Sequence, residues 1–267
     1  MASLSISKAW DETKQVVARD GRLLTTVALA LFVLPGVVTD LAAPPAAAGE
    51  LPKFDLGTIL MAVMLVIALA GQLAVIRLAS GSGLTVGQAI AHGAQRVPAY
   101  LAASLIWLLP FVIVAVLLVR SIGVPADNPS PAAALGLLLV IGVMIFFAVR
   151  FLMSSAVASN ELAGPVAILR RSWDLTRGQW WRMFGFFMVF LIAALIAVIA
   201  VGAIGGIVAK LVFGGTEPLT VGGLLVSLLT QIVSASVSVL LMVMLARIYG
   251  QLAGAGDAEV SVPTTGS

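Results

Sequence analysis

The sequence predicts an all-α integral membrane protein with six transmembrane helices, arranged as three repeats of an interfacial amphipathic helix plus a two-helix hairpin. Three observations carry this expectation. First, 61% of the 267 residues are hydrophobic, only 10% are charged, and mean hydropathy is +1.13. That leaves too little polar surface to coat a soluble domain of this size. Second, uncharged runs recur at the length needed to cross about 30 Å of hydrocarbon. Third, the basic residues gather in alternate connections.

In chain order, Ser3 to Asp20 is amphipathic, with Ile6, Trp10, Thr13 and Val17 on one face and Lys8, Glu12, Gln15 and Arg19 on the other. Leu23 to Thr39 is the first uncharged run; at 17 residues it is short, and Asp40 to Ala43 are expected to extend it. An Ala/Pro linker, Ala42 to Gly49, follows. Its Ala46-Ala47-Ala48 resembles a signal-peptidase site, so a signal cleaved near Gly49 is the rival reading; a 22-residue polar lead with three acids argues against it. Leu56 to Ile76 is the second span. After the turn Ser80 to Gly83, Thr85 to Arg96 is a weaker amphipathic segment, with Val86, Ala89, Ile90, Gly93 and Val97 on one face. Val97 to Val119 and Asn128 to Val149 make the next hairpin. Asn160 to Phe187 leads into the uncharged run Met183 to Ala209, the loop Lys210 to Glu217 precedes the last run, Pro218 to Ala246, and Asp257 to Ser267 has the composition of a disordered tail. The expected domain is one six-span unit over 1–256, with repeats at about 3–80, 84–160 and 161–254 and a tail at 257–267.

Six spans place Lys8, Lys14, Arg19, Arg22, Arg77, Arg96, Arg150, Arg170, Arg171, Arg177, Arg182 and Arg247 on one side, against Lys53, Arg120 and Lys210 on the other. Twelve against three is a strong positive-inside bias, so both termini are expected in the cytoplasm. The repeat shows in Lys8-Ala9-Trp10-Asp11-Glu12-Thr13, which matches Arg171-Ser172-Trp173-Asp174-Leu175-Thr176 in pattern. Ala89-Ile90 lines up with Ala167-Ile168, setting His92 opposite Arg170, and the second spans end alike at Arg77, Arg150 and Arg247.

Asn160 to Phe187 concentrates four arginines and three of the five tryptophans. At about 100° per residue, Val166, Leu169, Trp173 and Trp180 share one side, with Pro165, Ile168, Ser172 and Leu175 beside them; Arg170, Arg171, Asp174 and Arg177 fill the opposite arc. Such a helix suits a membrane–water interface. Trp180, Trp181 and Arg182 read as an aromatic belt with a basic anchor, and the same arginines suit anionic lipid headgroups. Trp10 and Asp11 are the counterparts in the first repeat. Asp174 is expected to orient Arg170 and Arg177 while shielded from water.

Gly164-Pro165-Val166-Ala167-Ile168-Leu169-Arg170-Arg171-Ser172-Trp173-Asp174-Leu175-Thr176-Arg177-Gly178 resembles the signature of the bacterial glycerophosphoryl diester phosphodiesterase membrane-domain family. The resemblance implies a multi-pass module of the bacterial inner membrane and carries no enzyme function across. The soluble catalytic domain sometimes attached to such modules uses paired histidines and metal-binding carboxylates, and this chain has one histidine.

A search for chemistry agrees. There is no cysteine, which excludes disulfides and thiolate chemistry, and His92 alone makes a zinc site implausible. The uncharged runs hold no proton relay, Gly81-Ser82-Gly83 lacks the context of a phosphate loop, and Ser154, Ser155 and Ser159 have no histidine nearby in sequence. No cofactor, metal or catalytic residue is expected. A pI near 9.7 rests on a net charge of only +3, so no nucleic acid is expected either. In the last span Ser227, Gln231, Ser234 and Ser238 form a polar stripe, read as helix packing or, with Gln72, as a lined cavity. The function expected is a non-enzymatic scaffold or accessory factor in a membrane complex or in envelope-lipid homeostasis, with anionic lipids and other membrane proteins as partners. The alternative is a transporter or lipid-translocating protein.

Overall fold

The computed structural model describes residues 5–42, 56–81, 83–122, 131–215 and 220–260, and among these every regular element is helical. The linker after Ala42 with its candidate cleavage site, Lys53, and residues 261–267 lie outside the described residues. Helix α1 runs Ile6–Ala28 and starts at Ser5, whose side chain accepts from the Lys8 N–H. No loop separates the amphipathic segment from the first span: α1 passes through a π-helical turn, Leu29–Val33, into α2, Leu34–Ala42. Pro35 accounts for the turn. Its ring cannot sit against the carbonyl four residues back, and the ladder widens just before it, with the Leu34 N–H bonding to Leu29 O.

Helix α3 is Leu56–Ala79. A turn with Gly81 and Gly83 at positive φ leads to α4, Val86–Ile122. Thr85 and Gln88 form a reciprocal cap at its start, the Thr85 N–H reaching Gln88 Oε1 at 3.0 Å. The second amphipathic segment is again continuous with its span, Pro98 being accommodated inside the helix. Helix α5 is Pro131–Arg150, followed by a short helix the sequence reading missed, α6, Ser154–Asn160. Helix α7, Pro165–Thr176, begins with Pro165 after Gly164 and ends at a turn in which Gly178 has φ 79°. So only the third amphipathic segment is a separate helix, ended by the left-handed turn at Gly178. Helix α8, Trp180–Phe213, contains Lys210, expected in a loop, and is capped by Gly214 at φ 80°. Helix α9 runs Val221–Val260, past the expected tail boundary at Asp257.

Six of these helices, α1 and α2 together counting as one, are long and apolar enough to cross a membrane. Helices α3 and α9 are central: α3 touches α1, α2, α4, α6 and α9, and α9 touches α1, α2, α3, α6, α7 and α8. Helices α5 and α8 are peripheral, with Leu138 69% and Ile196 63% exposed. Apolar faces of this size fit hydrocarbon rather than water. Buried residues concentrate at one end: Leu73 to Ile76 of α3, Ala89 and Val97 of α4, Val149 of α5, Ser154 to Ser159, Met183 of α8 and Met242 to Ile248 of α9. That end also carries the arginines.

Candidate functional site

At the basic end the short helix α6 is buried from Ser154 to Ser159 and held by its neighbours. A helix C-terminus leaves carbonyls without partners, and a cation suits them. Arg96 of α4 supplies it, donating from Nε to Ala158 O at 2.9 Å and from Nη2 to Glu161 O and Ala163 O at 2.8 Å each. His92 Nε2 lies 2.9 Å from Ser159 O, and Ser159 Oγ donates to Leu73 O at 2.8 Å. His92 has no serine nearby in sequence, but the fold half-buries it against Ser159. The Ser159 hydroxyl donates elsewhere, so no nucleophile–base pair results. Gln72 is not on the stripe of the last span: it joins Ser104, Ser154 and Ser155 around the Tyr100 hydroxyl.

The three arginines that end the second spans have distinct surroundings. Arg77 donates from Nη1 to Asn160 Oδ1 at 3.0 Å. The Arg150 guanidinium lies 4.6 Å from the Trp173 ring centroid and 5.5 Å from that of Phe146, and its buried Nε and Nη1 have no hydrogen-bond partner. Ring faces thus supply the negative potential a carboxylate would otherwise give. Its backbone carbonyl accepts from Ser172 Oγ at 2.9 Å and Thr176 Oγ1 at 3.3 Å, which docks α7 onto α5. Arg247 donates from Nη2 to Ala79 O, and its buried Nε has no partner among the described residues.

The buried face of α7 differs from the expected one. Ile168, Leu169, Ser172 and Thr176 are buried, whereas Val166 is 68% exposed. Asp174 is exposed and forms no ion pair with Arg170 or Arg177, which are exposed too; the expectation that it is shielded is overturned. Arg171 instead meets Glu161 Oε1 at 3.1 Å, an oxygen that also accepts from the Tyr249 hydroxyl at 2.8 Å. Trp180 is half-buried, stacked on Phe184 with centroids 5.0 Å apart and donating to Phe146 O, while Trp181 is 76% exposed and Arg182 exposed. Helix α1 behaves alike. Ala9 and Thr13 are buried, Trp10 is 43% exposed, and Asp11 is exposed and pairs with Lys14 at 2.7 Å. Thr13 Oγ1 donates to Ala9 O at 2.7 Å and Thr176 Oγ1 to Ser172 O at 3.0 Å, the same bond at matching positions. In α4 the buried trio is Ala89, Gly93 and Val97, which sets His92 opposite Arg171 rather than Arg170.

A polar chamber of about 410 Å³ opens between α1 and α9, lined by Lys8, Glu12, Ser80, Asn160, Arg247 and Gln251, with Tyr249 at its wall. The sequence reading passed over Glu161, Arg247 and Gln251; the recurrence of arginine at the span ends was the available signal. On the polar stripe, Ser227 Oγ and Gln231 Nε2 donate to Asp40 Oδ2 at 2.7 and 3.0 Å, and Ser238 Oγ donates to Ser234 O at 2.8 Å. These bonds tie α9 to α2 and to itself. Among the described residues no group of three His, Asp or Glu could hold a metal ion.

A family model described as a domain of unknown function (DUF7847) matches residues 4–252. No curated protein and no solved structure matches the chain.

Proposed function

We propose that the chain, which belongs to the DUF7847 family, is a non-enzymatic multi-pass module of a bacterial inner membrane that holds anionic lipid at its basic, cytoplasmic end. There it serves as a scaffold or accessory factor in a membrane complex or in envelope-lipid homeostasis, and the resemblance of residues 164–178 to the phosphodiesterase membrane-domain signature belongs to the same proposal. One observation carries it: Arg170, Arg177, Arg182 and Trp181 are all exposed, and the three arginines form no ion pair among the described residues. Cations and an indole left to solvent at a span boundary match the headgroup layer of an anionic leaflet, where each cation contributes about 1 kcal/mol. Ser227 and Gln231, which a translocation path would use, are engaged by Asp40, and this supports the module over the transporter.

The test is thermal unfolding in detergent with added phosphatidylglycerol or phosphatidylcholine. Phosphatidylglycerol should stabilise the protein more, and Arg170→Gln, Arg177→Gln and Arg182→Gln combined should reduce the preference. A triple variant that keeps it undiminished sinks the reading. For the orientation, a cysteine at Asp174 that reacts with an impermeant reagent outside intact cells would place the basic end on the wrong side.

A further inference from the structure

We infer that the chamber between α1 and α9 binds a phosphate group, free or on a lipid headgroup, and that Arg247 and Gln251 are the donors that recognise it. The site lies apart from the α7 rim and does not depend on it. Gln251 Oε1 accepts from the Ser5 N–H at 3.3 Å, which fixes the amide orientation and leaves Nε2 as a buried donor without an acceptor. Arg247, one helical turn earlier on the same face of α9, is oriented by its Nη2 bond to Ala79 O, and its Nε is likewise buried without an acceptor. Both side chains line the chamber.

The local charges favour an anion. Arg247 has no carboxylate within ion-pair distance among the described residues; Asp20 acts on it only at longer range, and both Asp20 oxygens are taken by Arg19. Lys8, on the α1 wall, has among the described residues only a 3.9 Å contact to Glu12, the one acid in the lining. Water would satisfy the free donors but leave the guanidinium charge uncompensated. A phosphate does both, since its oxygens accept charge-assisted bonds from several donors at once. The volume, about 410 Å³, is within the range of small-ligand sites.

The test uses the full chain in nanodiscs and follows thermal unfolding. Inorganic phosphate is titrated into phosphatidylcholine discs, and separately phosphatidylcholine discs are compared with discs that also contain phosphatidylglycerol. Stabilisation that saturates with inorganic phosphate identifies a free anion; stabilisation by phosphatidylglycerol alone identifies a headgroup. In either arm Arg247→Lys, which keeps the charge but deletes Nε, and Gln251→Leu should each weaken the effect roughly tenfold. These comparisons are made in the rim variant of Arg170, Arg177 and Arg182, where the effect that remains belongs to the chamber. No stabilisation in either arm overturns the inference without recourse to the chamber variants. So does an effect that, in the rim variant, is left unchanged by Arg247→Lys and by Gln251→Leu.

Discussion

Replacing Gly93 by alanine should separate the two helices that hold the basic end together. A Cβ at Gly93 would lie 2.4 Å from Ala70 O and 3.1 Å from Ala74 N, both backbone atoms of α3, and real Cβ atoms essentially never come within 3.0 Å. Backbone in a helix cannot turn aside as a side-chain tip can, so α4 itself must shift. That shift would lengthen the bonds of His92 and Arg96 to the carbonyls around the end of α6, one turn or less from Gly93. Overpacking costs about 1–3 kcal/mol, and weakening a hydrogen bond from a charged donor adds about 1.5 kcal/mol. Against this, alanine gains about 1 kcal/mol over glycine in a helix. The net expectation is a loss of about 1.5–3.5 kcal/mol. Denaturant unfolding in detergent measures it, with Gly142→Ala as the control because nothing lies within 4 Å of its added Cβ. The control should be unchanged or up to about 1 kcal/mol more stable. If Gly93→Ala proves as stable as Gly142→Ala, the close approach of α3 and α4 is wrong.

Three further substitutions separate the roles inside the Trp-Asp pairs. Asp174→Asn should alter stability by less than about 0.5 kcal/mol, because the carboxylate is exposed and unpaired; unfolding in detergent checks this, and a larger loss would mean it is covered. Trp173→Ala should cost about 3 kcal/mol, since it strips the nearer ring from the Arg150 guanidinium, whose Nε and Nη1 have no hydrogen-bond partner, and leaves it only the more distant Phe146 ring. Trp10→Ala, at a more exposed ring, should cost clearly less in the same assay.

The number and order of spans were written in the sequence, because a run of residues without charge is a local property and crossing hydrocarbon asks for little else. The apolar runs 56–76, 97–119 and 183–209 fall inside α3, α4 and α8 as expected. What the runs could not show was which side of each helix faces protein. In water an apolar stripe marks the core. Against lipid, burying an apolar side chain in protein gains little, so close packing and hydrogen bonding choose the inner face. The tertiary structure therefore buried Ala9 and Thr13, Ser172 and Thr176, and Ala89 and Gly93, while Trp10, Asp11, Asp174 and Val166 turned outward. It also decided the continuity of α1 and α4: Gly21 and Gly93 stay helical, whereas Gly178 takes the left-handed turn. The chamber was the least legible feature of all: Lys8, Asn160, Arg247 and Gln251 lie far apart in sequence, and only the packing of α9 against α1 and the end of α6 makes them neighbours.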